Sequence, residues 1–301
     1  MKRKLLLIIP LLAALFSQGC KEHYVTYDDK EYVMFADTAK MYVVREDILS
    51  FEVPVVSTTV CDYDRNFAVE ILDPQSDAVE GRDFVLESNN FTIKAGEQVA
   101  TIKVKGQFDN LTAGKDMHFT LRLVLPDRLV MPLYGDRTIV RFRKSNKFDR
   151  SRFTGYAVVS SLFLYQYSLN GRFQRLISTY AHPTDPNAVV LKDFLADGYD
   201  VTISFDDDTD PVNPTVDMPS GQVVSDEGSI FGMVHGDNHI LIETSNQGPS
   251  YFFGHAAVAV MVSRFYVQNL GDDIGTVGHF LTEIDWVSDE EAMRLKREDG
   301  M

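Results

Sequence analysis

The sequence predicts an all-β fold in two domains, a β-sandwich followed by a small β-barrel or second sandwich that ends in a short helix. Short runs alternating apolar and polar residues recur along the chain between Gly, Pro, Asn and Asp, the pattern of half-buried strands. The 301 residues, 45% of them hydrophobic, supply enough apolar side chain for two cores. A helical signature comes only at the end. Ser288-Asp289-Glu290-Glu291 reads as a capping box, with Ala292 and Leu295 facing the body of the domain and Arg294, Lys296 and Arg297 facing solvent.

Taken in order, the chain begins with a leader. Lys2-Arg3-Lys4 is a positive n-region, residues 5–16 are an apolar stretch too short to cross a bilayer as a permanent helix, and Ser17-Gln18-Gly19-Cys20 is a small-residue site ending in cysteine. The segment resembles a bacterial lipoprotein leader, departing from the usual pattern at Ser17. That resemblance implies that Cys20 is lipidated, becomes the first mature residue and anchors the protein to the bilayer; the alternative is an ordinary secretory signal. Lys21-Glu22 resembles the signal that sends Bacteroidetes lipoproteins to the outer face of the outer membrane, and Asp37-Thr38-Ala39 resembles the O-glycosylation sequon of that phylum. Residues 1–20 are thus leader and lipidation site, and 21–31 a tether. With Cys20 acylated, Cys61 has no partner for an intramolecular disulfide and reads as a core or strand residue.

Residues 32–143 read as a sandwich of about seven strands. Phe51, Val53 and Val55 alternate with Glu52 and Pro54, and Ala100, Ile102 and Val104 with Thr101 and Lys103; Phe119, Leu121, Leu123 and Leu125 face one way, Thr120 and Arg122 the other. The Ala78-Val79-Glu80-Gly81-Arg82-Asp83-Phe84 turn, the Phe91-Thr92-Ile93-Lys94-Ala95-Gly96-Glu97 turn and the strand after Val99 resemble the Calx-beta family, with each glycine where a turn needs positive φ. Val44-Arg45-Glu46 fits the family's early strand. After the closing strand, where the family carries an acidic pair, this chain has Asp109-Asn110, so the resemblance implies the fold and not calcium binding by this domain.

Residues 144–152 form a basic linker or interdomain seam, the centre of a run containing Arg141, Arg143, Lys144, Lys147, Arg150 and Arg152. A nucleic-acid patch is the sharper reading of that run, but 29 Lys plus Arg against 44 Asp plus Glu leave a formal charge of −15, which argues against a phosphate-wrapping chain. Residues 153–301 read as the barrel-like domain with its C-terminal helix. Leu169-Asn170-Gly171-Arg172 and Val234 to Ile240 carry hairpin signals, and strands are expected over 198–205, 256–268 and 279–287. The pacing of this half resembles the C-terminal β-domains of Bacteroidetes outer-membrane lipoproteins of unknown function.

Four constellations invite chemistry. Asp206, Asp208 and Asp210 have the one-three-five spacing of a calcium loop with Asp217 at position twelve, although Pro211 stands where such a loop needs glycine; the other reading is a solvated acidic loop, and no cofactor besides calcium is implied. Phe163, Tyr165 and Tyr167 would share one face of a strand, a row able to stack on sugar rings or equally to pack in a core. Tyr251-Phe252-Phe253 and the single tryptophan, Trp286, invite the same two readings. His235 and His239 flank a turn, with His255 in reach if its strand is adjacent.

No Gly-x-Ser-x-Gly, His-Glu-x-x-His or glycine-rich phosphate loop occurs, so the expectation is a protein that binds and does not catalyse. The function expected is an accessory module for glycan or nutrient capture at the cell surface, with Tyr165, Tyr167 and Trp286 as candidate ligand-binding residues and no nucleic-acid partner. The alternative is a spacer or interaction lipoprotein whose partner is another envelope protein. A glycosidase carboxylate pair stays open, since its members need only meet in space.

Overall fold

The computed structural model describes residues 30–167, 173–226, 238–269, 272–298 and 300. The fold is all-β, a sandwich and a barrel with two short α-helices among the described residues, and two separate hydrophobic cores run through it. Among the described residues no helix is long and apolar enough to cross a membrane.

The sandwich consists of β1 (Val33–Phe35), β2 (Ala39–Val44), β3 (Ser50–Ser57), β4 (Arg65–Ile71), β5 (Phe84–Leu86), β6 (Asn90–Ile93), β7 (Val99–Gly106), β8 (Asp116–Val124) and β9 (Arg137–Lys144). One sheet has the order β1-β3-β7-β5 and the other β2-β9-β8-β4-β6, where β2 and β9 are parallel. The inward faces follow the period of two: Phe51, Val53, Val55, Ile102, Val104, Phe119, Leu121 and Leu123 are all buried. At the centre Phe84 stacks on Phe119 at 3.8 Å, and Phe142 meets both edge-on. Thr120, expected on the wet face, is buried instead, because residues 73–78 fold over it: its hydroxyl donates to Gln75 O and its N–H to Ser76 Oγ.

Both turn glycines adopt positive φ, +81° at Gly81 and +80° at Gly96. The first turn is fastened by Asp83, whose buried carboxylate accepts the Val79 N–H at 2.9 Å and pairs with Arg82. That arrangement satisfies a backbone donor that an apolar residue would leave orphaned.

The second half contains β10 (Gly155–Ser161), β11 (Gln174–Ala181), β12 (Ala188–Lys192), β13 (Val201–Asp206), β14 (Thr215–Asp217), β15 (Gln222–Ser225), β16 (Ile240–Thr244), β17 (Tyr251–Phe253), β18 (Val258–Asn269) and β19 (Asp272–Val287). The path β10-β11-β12-β13-β14-β17-β18-β19 returns to β10, so the sheet closes on itself. The long β18 pairs with β17 through its first residues and with β16 through its last. Where β13 and β15 run side by side, the Gln222 amide spans the gap: Oε1 accepts the Thr202 N–H at 2.6 Å and Nε2 donates to Thr202 O at 2.9 Å. A side chain there imitates one rung of a backbone ladder.

Residues Leu162–Tyr167 form a helix, α1, and not a strand. Ser161 Oγ accepts the Phe163 N–H at the point where β10 ends, and Phe163 turns inward to stack on Phe265 at 4.1 Å. The gain from burying the ring outweighs the strand preference of the run's aromatic residues. At the C-terminus α2 (Asp289–Glu298) begins at the expected cap, with Glu291 N–H donating to Ser288 Oγ at 3.2 Å and Ala292 and Leu295 buried. The Leu169 to Arg172 turn and residues 234–237 of the second hairpin signal lie outside the described residues.

Candidate functional site

The chain between β9 and β10 is a packed seam. Phe148 stacks on Phe205 at 4.5 Å, and its N–H donates to Asp207 Oδ2 at 2.6 Å. Arg45, just past β2 in the sandwich and only 3% exposed, reaches into the acidic loop that follows β13. Its Nη1 donates to both Asp207 O and Asp207 Oδ2 at 3.0 Å, its Nη2 to Asp208 Oδ1 at 3.1 Å, and its Nε to Asp47 Oδ1 at 2.6 Å. Lys147 adds a second cation 3.7 Å from Asp208. Burial lowers the affinity of the Arg45 guanidinium for its proton, but the bonds to Asp47 and Asp208 outweigh it and raise its pKa; the same bond lowers that of Asp47.

This accounts for the proposed calcium ligands. The charge that needed neutralising is met by Arg45 and Lys147, and the remaining carboxylates serve their own turns. Asp206 accepts the N–H groups of Asp208 and Thr209, and Asp210 those of Val212 and Asn213. The Thr209 side chain and the two N–H groups hold Asp206 below the usual carboxylate range, and the Asn213 amide does the same for Asp210. Asp217 is exposed on β14. Among the described residues no three or more His, Cys, Asp or Glu side chains are grouped to hold a metal ion, Asp206, Asp208, Asp210 and Asp217 included.

Beside the seam lies a cleft of about 630 Å³ between sandwich and barrel. One wall is built by Gly114, Asp116, Arg143 and Lys144, the other by loops 211–215 and 249–256. Alternation along β17 sends Phe252 into the barrel core and leaves Tyr251 and Phe253 on the outer face, with ring centroids 5.3 Å apart. Phe253 is 39% exposed, and the His255 ring lies 6.0 Å from it. Across the cleft Arg143 Nη2 donates to Asp116 Oδ2 at 3.1 Å. Arg152 fixes the His255 main chain by donating to its carbonyl at 2.8 Å. Gly114, at φ +76°, approaches so closely that a Cβ there would lie 2.8 Å from His255 Nε2. Aromatic rings on one side and an ion pair on the other can stack on an apolar ring face while bonding to hydroxyls.

The residues singled out from the sequence are scattered. Cys20 and His235 lie outside the described residues. Tyr165 is 66% exposed on α1, but Tyr167, two residues on, packs against Phe163 and Phe280, so the two do not form a platform. Trp286 is 8% exposed and its indole N–H donates to Thr179 Oγ1 at 3.0 Å; it is a core residue and reaches no ligand. Of the residues named for the same chemistry, Tyr251 and Phe253 are those the structure sets over a cleft, and period-two alternation at a strand edge was the signal for them. One pair looks catalytic at first sight: Ser245 Oγ is 2.7 Å from His279 Nδ1. Ser245 is buried, and its hydroxyl also accepts the Gln247 N–H, which makes it a turn brace.

No curated protein matches the sequence. Among solved structures, the apo form of the Calx CBD1 domain is 21% identical, with 39% of this chain and 99% of that one covered and a TM-score of 0.32. A Bacteroides ovatus protein of unknown function is 12% identical, with 84% of this chain and 89% of that one covered and a TM-score of 0.34. Another from Bacteroides ovatus, described as a "putative carbohydrate binding protein", is 11% identical, with 78% and 81% covered and a TM-score of 0.31. Residues 133–298, more than half of the chain and including nearly the whole barrel with one wall of the cleft, match the family described as Domain of unknown function (DUF4984), and the chain belongs to that family.

Proposed function

We propose that this protein is a lipid-anchored binding protein of a bacterial envelope, displayed on the outer membrane and without catalytic activity, and that the cleft between sandwich and barrel takes a saccharide. The observation that carries the reading is the Tyr251 and Phe253 pair, held outward over a 630 Å³ cleft and faced by the Arg143–Asp116 ion pair. Aromatic faces pack against the C–H face of a sugar ring while fixed polar groups bond to its hydroxyls. The leader ending at Cys20 supports the anchor, and a tether over 21–31 would span up to about 35 Å, enough to clear the headgroups. No cofactor enters this reading.

The rival, docking of another envelope protein by strand addition, has narrow footing: of the sandwich's edge strands β1 and β5 have three residues each and β6 four, which leaves β2, with six, as the edge a partner strand would use. A glycan array probed with the protein lacking residues 1–20 tests the binding; a folded protein silent across a broad array shifts the function to protein interaction. Palmitate labelling of wild type and Cys20→Ser tests the anchor, with label expected only in the wild type.

A further inference from the structure

The cleft has the opposite charge character to the rest of the molecule. The chain carries a formal −15, yet the charged side chains lining the cleft are Arg143 and Lys144 against a single carboxylate, Asp116. Asp116 is matched by Arg143, whose Nε lies 2.9 Å from Oδ1 and whose Nη2 donates to Oδ2. Nη1 has no protein partner among the described residues. Lys144 Nζ stands 4.0 Å from the Phe108 ring centroid, and among the described residues no carboxylate pairs with it. A cation set against a ring in an acidic protein has many carboxylates it could have joined, and here it joins none.

We infer that the ligand of this cleft is an anionic saccharide, a sugar chain bearing carboxylate or sulfate groups, whose charge is received by Arg143 Nη1 and Lys144 Nζ while its ring packs on Tyr251 and Phe253. The inference rests on the saccharide reading above and narrows it. Walls of low polarizability focus the field of the two cations into the cleft, so an anion is drawn there although the molecule as a whole repels it. The fork formed by Nε and Nη2 is taken by Asp116, and the remaining Nη1 donor suits an oxygen of either a carboxylate or a sulfate, since both are charged acceptors. A neutral sugar would gain hydrogen bonds from Lys144 but none of the charge attraction.

Calorimetric titration of the purified protein, sandwich and barrel together, with an oligogalacturonate, a sulfated oligosaccharide and a neutral oligogalactan of equal length tests this. The anionic chains are expected to bind about tenfold or more tighter than the neutral one, with the preference shrinking as salt is raised. Whichever of the two binds better names the acid group. Lys144→Gln, which keeps an N–H donor and removes the charge, should weaken anionic binding several-fold and neutral binding far less. Arg143→Gln should weaken anionic binding more, because it removes a donor and also leaves Asp116 facing the ligand. Lys296→Gln, on α2, should change nothing. Equal binding of neutral and anionic chains, or equal losses at Lys144 and Lys296, overturns the anion inference and leaves the saccharide cleft standing. Binding of no sugar by folded protein overturns both.

Discussion

Arg45 Nη1 lies 3.0 Å from both the main-chain oxygen and the carboxylate of Asp207, so a guanidinium from the sandwich occupies the middle of the barrel's acidic loop. Both side chains are largely withdrawn from water, 4% and 11% exposed. Removing the cation would leave the buried Asp207 carboxylate without its counter-charge, a change that costs about 3–5 kcal/mol in comparable pairs. Arg45→Met is therefore expected to lower the urea midpoint strongly, and Asp207→Asn in the same chain to recover part of the loss. An Arg45→Met protein as stable as wild type would show that the contact does not hold the two halves together.

Asp83 makes the stability of the sandwich acid-sensitive. The bond from Arg82 holds its pKa below the usual 3.8, and the Val79 N–H works in the same direction against the effect of burial. A depressed folded-state pKa contributes stability that is complete above the unfolded value and is lost as pH falls through the folded one. Wild type should lose stability below about pH 4, more steeply than Asp83→Asn, which should be weaker at neutral pH and flatter in acid. Parallel acid limbs in thermal melts of the two proteins would exclude Asp83 as a source.

Gly114 and His255 test the close approach of the cleft walls. Gly114→Ala places a Cβ 2.8 Å from the imidazole and strains a residue at φ +76°, so a loss of about 1 kcal/mol and displacement of the ring are expected. Combining it with His255→Ala removes the clash and leaves only the backbone strain. The melting temperature of the double variant should then exceed the additive expectation; strict additivity would mean that the ring moves aside freely.

Phe253→Ala should weaken saccharide binding about three- to tenfold, the loss of one stacked ring, whereas Tyr165→Ala should have no effect. The reverse order, read on the same glycan, would return the site to α1.

Gln222→Leu removes both bonds to Thr202 and leaves its N–H and C=O without that partner. A loss of about 1–3 kcal/mol and faster amide exchange at Thr202 are expected. Unchanged exchange at Thr202 would show that the amide contributes no rung.

The legible part of the molecule was local. Phe51, Val53 and Val55, and Phe119, Leu121 and Leu123, revealed their buried face because a strand's side chains alternate whatever it pairs with. Gly81 and Gly96 revealed their turns because a positive φ depends on one residue's own sterics. The run Leu162 to Tyr167 was misread because a six-residue apolar stretch fits either period, and a buried place beside Phe265 decided for a helix.

The sequence by itself determined the all-β class, the sandwich strands with their turns, the terminal helix cap and the order of the two halves, all consequences of neighbours within a few residues. Only the tertiary structure decided that Arg45 answers the acidic loop of 206–210, that Trp286 is core, and that Tyr251, Phe253, Arg143 and Asp116 share one cleft. Those facts join residues as much as 163 positions apart. No local pattern encodes them, because opposite charges and apolar faces find their partners through the folded chain and not along it.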